Sequence, residues 1–469
     1  MMSIKNNSKP YQDSQLTQIE FGGAQDVFYS WSNDQRPMIV KGEGIYLWDE
    51  QGNKYLDASS GPVTCNIGHS NPNVLRAMQQ QAQELTFSFA SSSRNLPNID
   101  LAKKLTELAG EGFERALFVS GGSEAVDMAI KFCRQYRYAT GEKKRNKLIS
   151  CLPSYHGMTL GALAVSGDPV FAEVFGEMIS MAHKIPAMMS YHRPDNQSEE
   201  EYSLQCAKYL EEKIIEVGED SVLAFIIEPV GGSSSGAIAP PELYFNEIRR
   251  ICDNYGVFLI YDEVMSGTGR TGEFLTSHLW PDARPDITVL AKGLGAGYAH
   301  LGAMLAPAAL VDELSELTGF NYAHTYNASP LSCAVGSAVL NEITQNGLLE
   351  NTRNMGLYLR DKLGELQNKF TIIGDVRGRG LLLAIELVAS HSPRKYLPLD
   401  IEAIERFKKL AQLEGLLIYG RRSNGGIYGE PLLIAPPLNV TIEELDLIIE
   451  GLAKTIGIFE AELRTNGII

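Results

Sequence analysis

The chain has 469 residues, of which 44% are hydrophobic and 21% are charged, a composition typical of a water-soluble globular protein with two or three domains. Its formal net charge of -16 repels phosphate backbones and anionic lipid, which argues against nucleic acids and membrane surfaces as partners. The polar opening MMSIKNNSKPYQDSQLTQIEF lacks the apolar core of a signal peptide, and no apolar run approaches the roughly 20 residues that cross a bilayer.

The cysteines and histidines indicate the cellular compartment and whether a metal site is expected. Six scattered cysteines without a CxxC pair indicate free thiols in a reducing compartment. The eight histidines form no HExxH motif and no tight cluster with cysteines or acids, so we expect no metal site. The sequence therefore predicts a cytoplasmic protein.

The first predicted elements form a β-hairpin, and a helix–strand alternation follows it. EGIYLWDEQGNKYLDA, residues 43–58, alternates apolar and polar residues around a turn at Asp49–Gly52. From about residue 73 the elements are, in chain order, the helices NVLRAMQQQAQEL and NIDLAKKLTELA, the strand RALFVS, the helix SEAVDMAIKFCRQYRYATG, the strand KLISCL, a further helix, the strand SVLAFIIEPV, the helix ELYFNEIRRICDNYG and the strands VFLIYDEV and DITVLAK. Short apolar runs separated by amphipathic helices predict a mainly parallel sheet covered on both faces.

The pattern shifts again after about residue 329. The helices SPLSCAVGSAVLNEITQ and LLENTRNMGLYLRDKLGELQNKF lead into GDVRGRGLLLAIELV, which we interpret as one strand preceded by turn glycines. A helix from about residue 400, strands near residues 416 and 432 and a final helix from Ile442 follow. We predict an N-terminal segment, 1–72, a large domain, 73–328, and a smaller α+β domain, 329–469, that packs with the hairpin.

Ligands of open α/β sheets collect beyond the carboxyl ends of the strands, so the residues that follow each strand are the candidates for a site. RALFVS is followed by Gly121, Gly122 and Ser123 at a helix start. The free amides and the dipole of such a helix form an anion site suited to a phosphate, with an ordinary helix cap as the alternative.

Chemically distinctive side chains follow the other strands. VFLIYDEV contains Asp262, KLISCLPSYHG brings Tyr155 and His156, and DITVLAK ends in Lys292. AFIIEPVGG contains Glu228, whose carboxylate needs a partner if it is buried. Taken alone, each of these residues is more often structural than functional.

Taken together, these features match the needs of pyridoxal 5′-phosphate. The aldehyde of this cofactor needs an amine, here Lys292, to form a Schiff base, and its ring nitrogen needs a carboxylate, here Asp262. Its phosphate needs backbone donors, and its ring needs apolar or aromatic faces. Burial lowers the pKa of an amine, which favours the neutral, nucleophilic form of Lys292.

Several motifs in the same order resemble those of the class III (omega) aminotransferases, pyridoxal-phosphate enzymes of fold type I. The motifs are FVSGGSEAVDMAIK, YHG, IIEPV, LIYDEVMSGTGRTG, DITVLAKGLGAGY and HTYNASP, with YLDASSGPVTCNIGHSNPNV and IAPPL as further landmarks. The resemblance runs from about residue 30 to the end. It implies that segment 73–328 is the cofactor-binding domain and that the smaller α+β domain is built from both termini.

The resemblance also implies roles for individual residues. The cofactor-binding positions that it implies are Gly121, Gly122, Ser123, Tyr155, His156, Glu228, Asp262, Val264, Lys292 and Thr325. Lys292 and Asp262 would be catalytic. Val264 and Tyr155 would flank the ring, and Thr325 would reach the phosphate held by the neighbouring subunit. We therefore expect an obligate homodimer with shared active sites.

Substrate residues are less well defined by the sequence. Ornithine- and GABA-type members usually carry glutamine at the position of Met265. An apolar residue there is more like the amine:pyruvate and ω-amino-acid:pyruvate branch. The mobile arginine that binds carboxylates in the family corresponds to Arg421 or Arg422, because the spacing to the PPL motif is longer than usual. The candidates for the pocket wall are Val63, Phe87 and Phe89, with core packing as the competing explanation.

The predicted activity is transfer of an amino group from an ω-amino acid or primary amine to a keto acid, preferably pyruvate, by a ping-pong mechanism. An amino-acid racemase, a dialkylglycine decarboxylase or an aminomutase would use the same lysine and aspartate. From other classes, GLGAGY weakly suggests a dinucleotide-binding dehydrogenase, although the full GxGxxG spacing is missing. A cofactor-free binding protein is disfavoured, because Lys292 and Asp262 are costly to bury without a ligand.

Overall fold

Short apolar runs become strands in the computed structural model of the protein, which describes residues 36–422 and 424–469. The strands are β1 (Ile39–Glu43), β2 (Tyr46–Asp49), β3 (Lys54–Asp57), β4 (Arg115–Val119), β5 (Lys147–Leu152), β6 (His183–Pro186), β7 (Val222–Ile227), β8 (Phe258–Asp262), β9 (Ile287–Leu290), β10 (Gly302–Ala306), β11 (Ile373–Arg379), β12 (Leu382–Leu387), β13 (Ser390–His391), β14 (Arg394–Lys395), β15 (Leu416–Leu417), β16 (Tyr419–Gly420) and β17 (Pro431–Ile434). Ile39–Ile469 form one unit of the chain. Part of the predicted segment 1–72 lies outside the described residues.

Helices separate most of these strands. They are α1 (Ser60–Val63), α2 (Pro72–Glu84), α3 (Leu96–Ala109), α4 (Gly122–Ala139), α5 (Leu160–Val165), α6 (Pro169–Phe175), α7 (Glu199–Val217), α8 (Glu242–Tyr255), α9 (Ala308–Leu317), α10 (Pro330–Gln345), α11 (Leu348–Lys369), α12 (Ala403–Leu413) and α13 (Ile442–Thr465). Helix α13 begins where the sequence predicts, because Thr441 and Glu444 form a capping box there. Within the described part of the chain, no helix is long and apolar enough to span a membrane.

The central sheet has seven strands in the order β4-β10-β9-β8-β7-β5-β6. Neighbours from β9 to β6 pair in parallel, whereas β10 is antiparallel to both β4 and β9. Alternate residues of β8 face opposite sides: Leu259 belongs to the core with α7 and α8, and Ile260 to the core with α4. The predicted mainly parallel sheet covered on both faces is thus confirmed.

Two smaller sheets carry the rest of the fold. The predicted hairpin is confirmed as β2 and β3, and β15 from the C-terminal region pairs in parallel with β3. The other sheet has the antiparallel order β11-β12-β17-β16. Both termini therefore contribute to the smaller α+β part, as the fold class predicts, while the boundaries 72/73 and 328/329 stay predictions.

The interpretation of GDVRGRGLLLAIELV as a single strand is wrong. Its first half is itself strand β11, which pairs antiparallel with β12 around a turn at Gly380, where φ is +56°. The charged residues of β11 obscure the strand pattern, yet the Arg377 guanidinium reaches the fully buried Glu386 carboxylate on β12 at 2.6 Å. An ion pair between the strands therefore replaces an apolar contact.

Candidate active site

Lys292 lies two residues beyond the carboxyl end of β9. Its φ of +41° is uncommon for a residue with a side chain and marks local backbone strain. Its Nζ donates a hydrogen bond to the Pro62 carbonyl oxygen at 2.9 Å. Burial lowers the pKa of Lys292 to about 8, against the opposing effect of the Asp262 and Glu228 carboxylates. At pH 7 about one amine in ten is therefore neutral, a far larger fraction than for an ordinary lysine.

Asp262 ends β8, the neighbour of β9, so parallel pairing places it on the same edge of the sheet as Lys292. Its side chain is buried, with Oδ1 accepting from the Val264 amide at 3.0 Å and Oδ2 lying 2.8 Å from His156 Nδ1. His156 is also buried, and its Nε2 has no hydrogen-bond partner among the described residues. These contacts fix the Asp262 carboxylate, which still has lone pairs free to accept a hydrogen bond from a further donor.

Glu228 follows β7 and faces the same edge. Its two carboxylate oxygens accept from the Tyr155 amide at 3.0 Å and the Gly232 amide at 2.7 Å. Burial raises the pKa of Glu228, and the nearby Asp262 charge raises it further. A Cβ at Gly232 would lie 2.9 Å from Glu228 Oε1 and 3.0 Å from Met265 Sδ, so only glycine fits without displacement. Glu228 thus anchors the backbone of two loops at the site.

The turn Gly121–Ser123 opens α4, as predicted, and no side chain caps this 18-residue helix. The first amides of a helix lack intrahelical partners, so this end is available to an anion. A Cβ at Gly122 would lie 3.0 Å from Val264 Cγ1 and 3.5 Å from Ala291 Cβ, next to Lys292. The Ser123 hydroxyl accepts from the Met158 amide at 3.0 Å. The predicted phosphate turn therefore lies against the strand ends that carry Asp262 and Lys292.

Tyr155 and Arg421 lie together. The Arg421 guanidinium carbon is 5.4 Å from the centre of the Tyr155 ring and 5.2 Å from that of Phe171. Its Nη2 forms an ion pair with Asp168 Oδ2 at 2.8 Å. Burial raises the pKa of the Tyr155 phenol, the Arg421 guanidinium opposes this shift, and the Asp262 charge adds to it. Arg421 therefore lies beside the predicted cofactor residues.

Arg422 is held elsewhere, although it is the next residue. Its Nε pairs with Glu430 Oε1 at 2.7 Å, and its Nη2 donates to the Leu399 carbonyl at 2.6 Å. Sequence spacing left two candidates for the mobile arginine. These contacts favour Arg421.

The remaining predicted residues fall into two groups. Val63 is buried and follows Pro62, whose carbonyl accepts from Lys292. Phe87, Phe89 and Thr325 are exposed, and the Phe87 ring lies 6.1 Å from that of Tyr326, edge to face. Val63 is therefore beside the lysine, whereas Phe87 lies at the surface against Tyr326, the residue that follows Thr325.

Sequence reasoning missed Asp168, Gly232 and one group of potential ligands. Asp168 lies in SGDP, where an acid before proline is a helix-start signal, and it does cap α6. Within the described residues, Asp57, Cys65 and His69 bring one potential metal-ligand atom each within 4.8 Å of one another. Asp57 Oδ1 already accepts the Gly61 amide. The predicted absence of a metal stays a prediction.

The grouped residues fit pyridoxal 5′-phosphate. An uncapped helix start with glycines packed against Val264 suits its phosphate, and the buried Asp262 suits a protonated ring nitrogen. The lowered pKa of Lys292 suits a reactive amine.

Comparison with known proteins points the same way. The family model described as "Aminotransferase class-III" matches residues 29–456. A putrescine–pyruvate aminotransferase of Pseudomonas aeruginosa is 31% identical over 418 residues, 88% of each chain. A leucine/methionine racemase of Thermococcus litoralis is 33% identical over 422 residues, 89% of each chain. The crystal structure of an omega transaminase from Pseudomonas jessenii in complex with PMP covers 93% of this chain and 96% of its own, with 29% identity and a TM-score of 0.86.

Proposed function

The chain belongs to the class III aminotransferases, and we propose that it transfers the amino group of an ω-amino acid or primary amine to pyruvate. The observation that carries the proposal is the pairing of a strained lysine of lowered pKa with a buried carboxylate on adjacent parallel strands. The putrescine–pyruvate aminotransferase of Pseudomonas aeruginosa supports an amine donor and pyruvate as acceptor.

Pyridoxal 5′-phosphate is the cofactor that the family implies. When bound, it supplies an aldehyde that takes up the amino group and a ring that withdraws electrons from the substrate carbon. The amides of Gly122 and Ser123 would bind its phosphate, and Asp262 would hold the proton of its ring nitrogen. Val264 and Tyr155 would flank its ring.

Lys292 is the proposed acid–base group. Because its pKa is lowered to about 8, Nζ can take a proton from the substrate carbon that bears the amino group and later return one. His156 holds the Asp262 carboxylate in place through the 2.8 Å contact. Donor and acceptor would use the same pocket in turn, which makes the reaction two half-reactions.

Substrate carboxylates are proposed to bind Arg421, which lies over the Tyr155 ring, rather than Arg422. A keto acid brings a carboxylate to this guanidinium, and planar guanidinium groups bind carboxylates through two parallel hydrogen bonds. Val63, Phe87 and Phe89 are the proposed wall of the pocket.

A homodimer would complete the site. Large apolar side chains are exposed on the single chain close to Thr325 in sequence, Tyr322 and Tyr326, and the exposed Phe87 packs edge to face against Tyr326. Exposed apolar surface of this kind is typical of an interface. We propose that it packs against a second copy and that Thr325 of one copy reaches the cofactor phosphate of the other.

A donor panel tests the activity. The holoenzyme is incubated with putrescine, β-alanine, taurine or an aryl amine, each with pyruvate or 2-oxoglutarate, and alanine and glutamate are quantified. We expect alanine to form faster than glutamate with at least one donor. The relative from Thermococcus litoralis makes racemisation the second candidate. Inversion of leucine or methionine without any keto acid, and without alanine formation, would favour that reaction and contradict the proposal.

A further inference from the structure

Arg421 is held by one carboxylate, that of Asp168. The two groups are 253 positions apart in the chain, and Oδ2 of Asp168 lies 2.8 Å from Nη2 of Arg421. Asp168 is buried, whereas about a quarter of the Arg421 side chain is exposed. A buried carboxylate needs a counter-charge, so the pair is favourable for Asp168.

The groups around Arg421 keep its guanidinium at the site but allow its carboxylate partner to be exchanged. The guanidinium lies against the rings of Tyr155 and Phe171 in two cation–π contacts, which impose no fixed hydrogen-bond geometry on it. The neighbouring Arg422 is fixed by Glu430 and a backbone carbonyl, which anchors the main chain. Arg421 can therefore move as a side chain on a fixed backbone.

We propose that Asp168 is a specificity-determining residue, which competes with the substrate carboxylate for Arg421. This inference rests on the proposed function, in which Arg421 binds a keto acid. A carboxylate substrate must displace Asp168 from the guanidinium, and this displacement weakens its binding. A donor without a carboxylate leaves the ion pair closed and binds without that cost. One pocket thus accepts both an amine and a keto acid.

Asp168→Asn tests the competition while keeping the fold. The substitution removes the charge. In the wild-type protein, Asp168 Oδ1 accepts a hydrogen bond from the Val170 amide at 3.1 Å. The side-chain oxygen of asparagine should keep this bond, because asparagine caps helices as well as aspartate does. The matched control is Glu173→Gln, which removes an exposed charge from the same helix, α6.

Binding of propanoate to the holoenzymes is measured by calorimetry, because it has a carboxylate but no reacting carbonyl. We expect Asp168→Asn to tighten propanoate binding roughly threefold to fivefold, the range of a partly exposed ion pair. Glu173→Gln should leave it unchanged. Asp168→Asn should have no effect in an Arg421→Met background, since the competition acts through that guanidinium. In turnover, the KM for pyruvate should fall, while the KM for putrescine stays the same.

Other results would overturn the inference. Unchanged or weaker propanoate binding by Asp168→Asn would mean that Asp168 only orients Arg421. An equal gain in the Arg421→Met background, or from Glu173→Gln, would indicate a general effect of charge. A wild-type holoenzyme that binds no propanoate would also contradict it. Failure of every donor to form alanine would overturn the proposed function instead, and the binding result does not depend on turnover.

Discussion

Two of the lysines whose pKa is lowered by burial, Lys184 and Lys292, lie in different parts of the central sheet. Lys184 lies within the edge strand β6, paired with Ser150 of β5, and burial lowers its pKa to about 7. Lys292 lies beyond the end of β9, and its pKa is about 8. By this property alone, Lys184 is the more perturbed of the two.

The surroundings of the two amines differ more than their pKa values. Lys184 Nζ donates to neutral groups only in the contacts described, the Ser150 hydroxyl at 2.6 Å and the Val165 carbonyl at 2.9 Å. Lys292 has a strained backbone and lies near the carboxylates of Asp262 and Glu228. A lowered pKa alone therefore does not make a lysine the candidate for catalysis; position beyond a strand end, backbone strain and nearby opposite charge together favour Lys292.

The largest expected effect separates the two lysines. Lys292→Ala should lower the rate of amino transfer by at least about 10³-fold, because it removes the proposed cofactor-bonding amine, which is also the proposed proton-transfer group. Lys184→Met should keep most of the wild-type rate. Alanine formation measures the rate of each variant.

Borohydride reduction of the wild-type holoenzyme gives an independent readout. Peptide mass mapping should find the reduced cofactor on the peptide that contains Lys292. Cofactor attached to the Lys184 peptide instead, or full turnover by Lys292→Ala, would reverse the comparison.

A smaller effect is expected from a change in the packing of the Gly122 turn beside Lys292. Gly122→Ala adds a Cβ 3.0 Å and 3.1 Å from the two methyl groups of Val264 and 3.5 Å from Ala291 Cβ. This overpacking should shift the helix start away from the strand ends and raise the dissociation constant of pyridoxal 5′-phosphate about tenfold. Titration of the apoenzyme, followed by cofactor absorbance, measures it.

Gly121→Ala is the matched control for that substitution. A Cβ at Gly121 meets nothing within 4 Å, and its φ of -171° is extended backbone that any residue adopts. Cofactor affinity should stay near the wild-type value. Equal losses from both substitutions would show that the contact with Val264 is not what positions the turn.

The sequence predicts the two chemical groups of the site because each follows its own apolar strand. Asp262 and Lys292 are placed together by the parallel pairing of β8 and β9, since the carboxyl ends of adjacent parallel strands lie at the same edge of a sheet. Gly122 could be placed for the same reason, since it follows β4 and starts α4. For these residues the periodicity of the strands was sufficient.

Other features depend on contacts that spacing cannot reveal. Arg421 and Arg422 are adjacent, so only their partners, Asp168 and Glu430, distinguish them. Strand β11 was missed for a related reason, since a charged side chain, Arg377, is satisfied there by an acid of the next strand, Glu386, rather than by apolar packing. Ion pairs between separate elements leave no periodic signal in a sequence.

The smallest expected effect concerns the stability contributed by Lys184. Its folded-state pKa of about 7 lies below the ordinary value of 10.5, so between these pH values the unfolded chain binds a proton that the folded chain does not. The stability of the wild-type protein from this group therefore rises with pH from about 7 to about 10.5. Lys184→Met lacks this contribution.

Lys184→Met should consequently lower the thermal midpoint more at about pH 9.5 than at about pH 7, by roughly 1–3 °C in scanning calorimetry. Lys131→Met, which removes an exposed lysine of α4, should show the same midpoint change at both pH values. An equal loss at both pH values, or a larger loss at about pH 7, would mean that the Lys184 amine stays protonated when buried. Lys292 would then be the only one of these two lysines with a lowered pKa, and pKa alone would separate the pair.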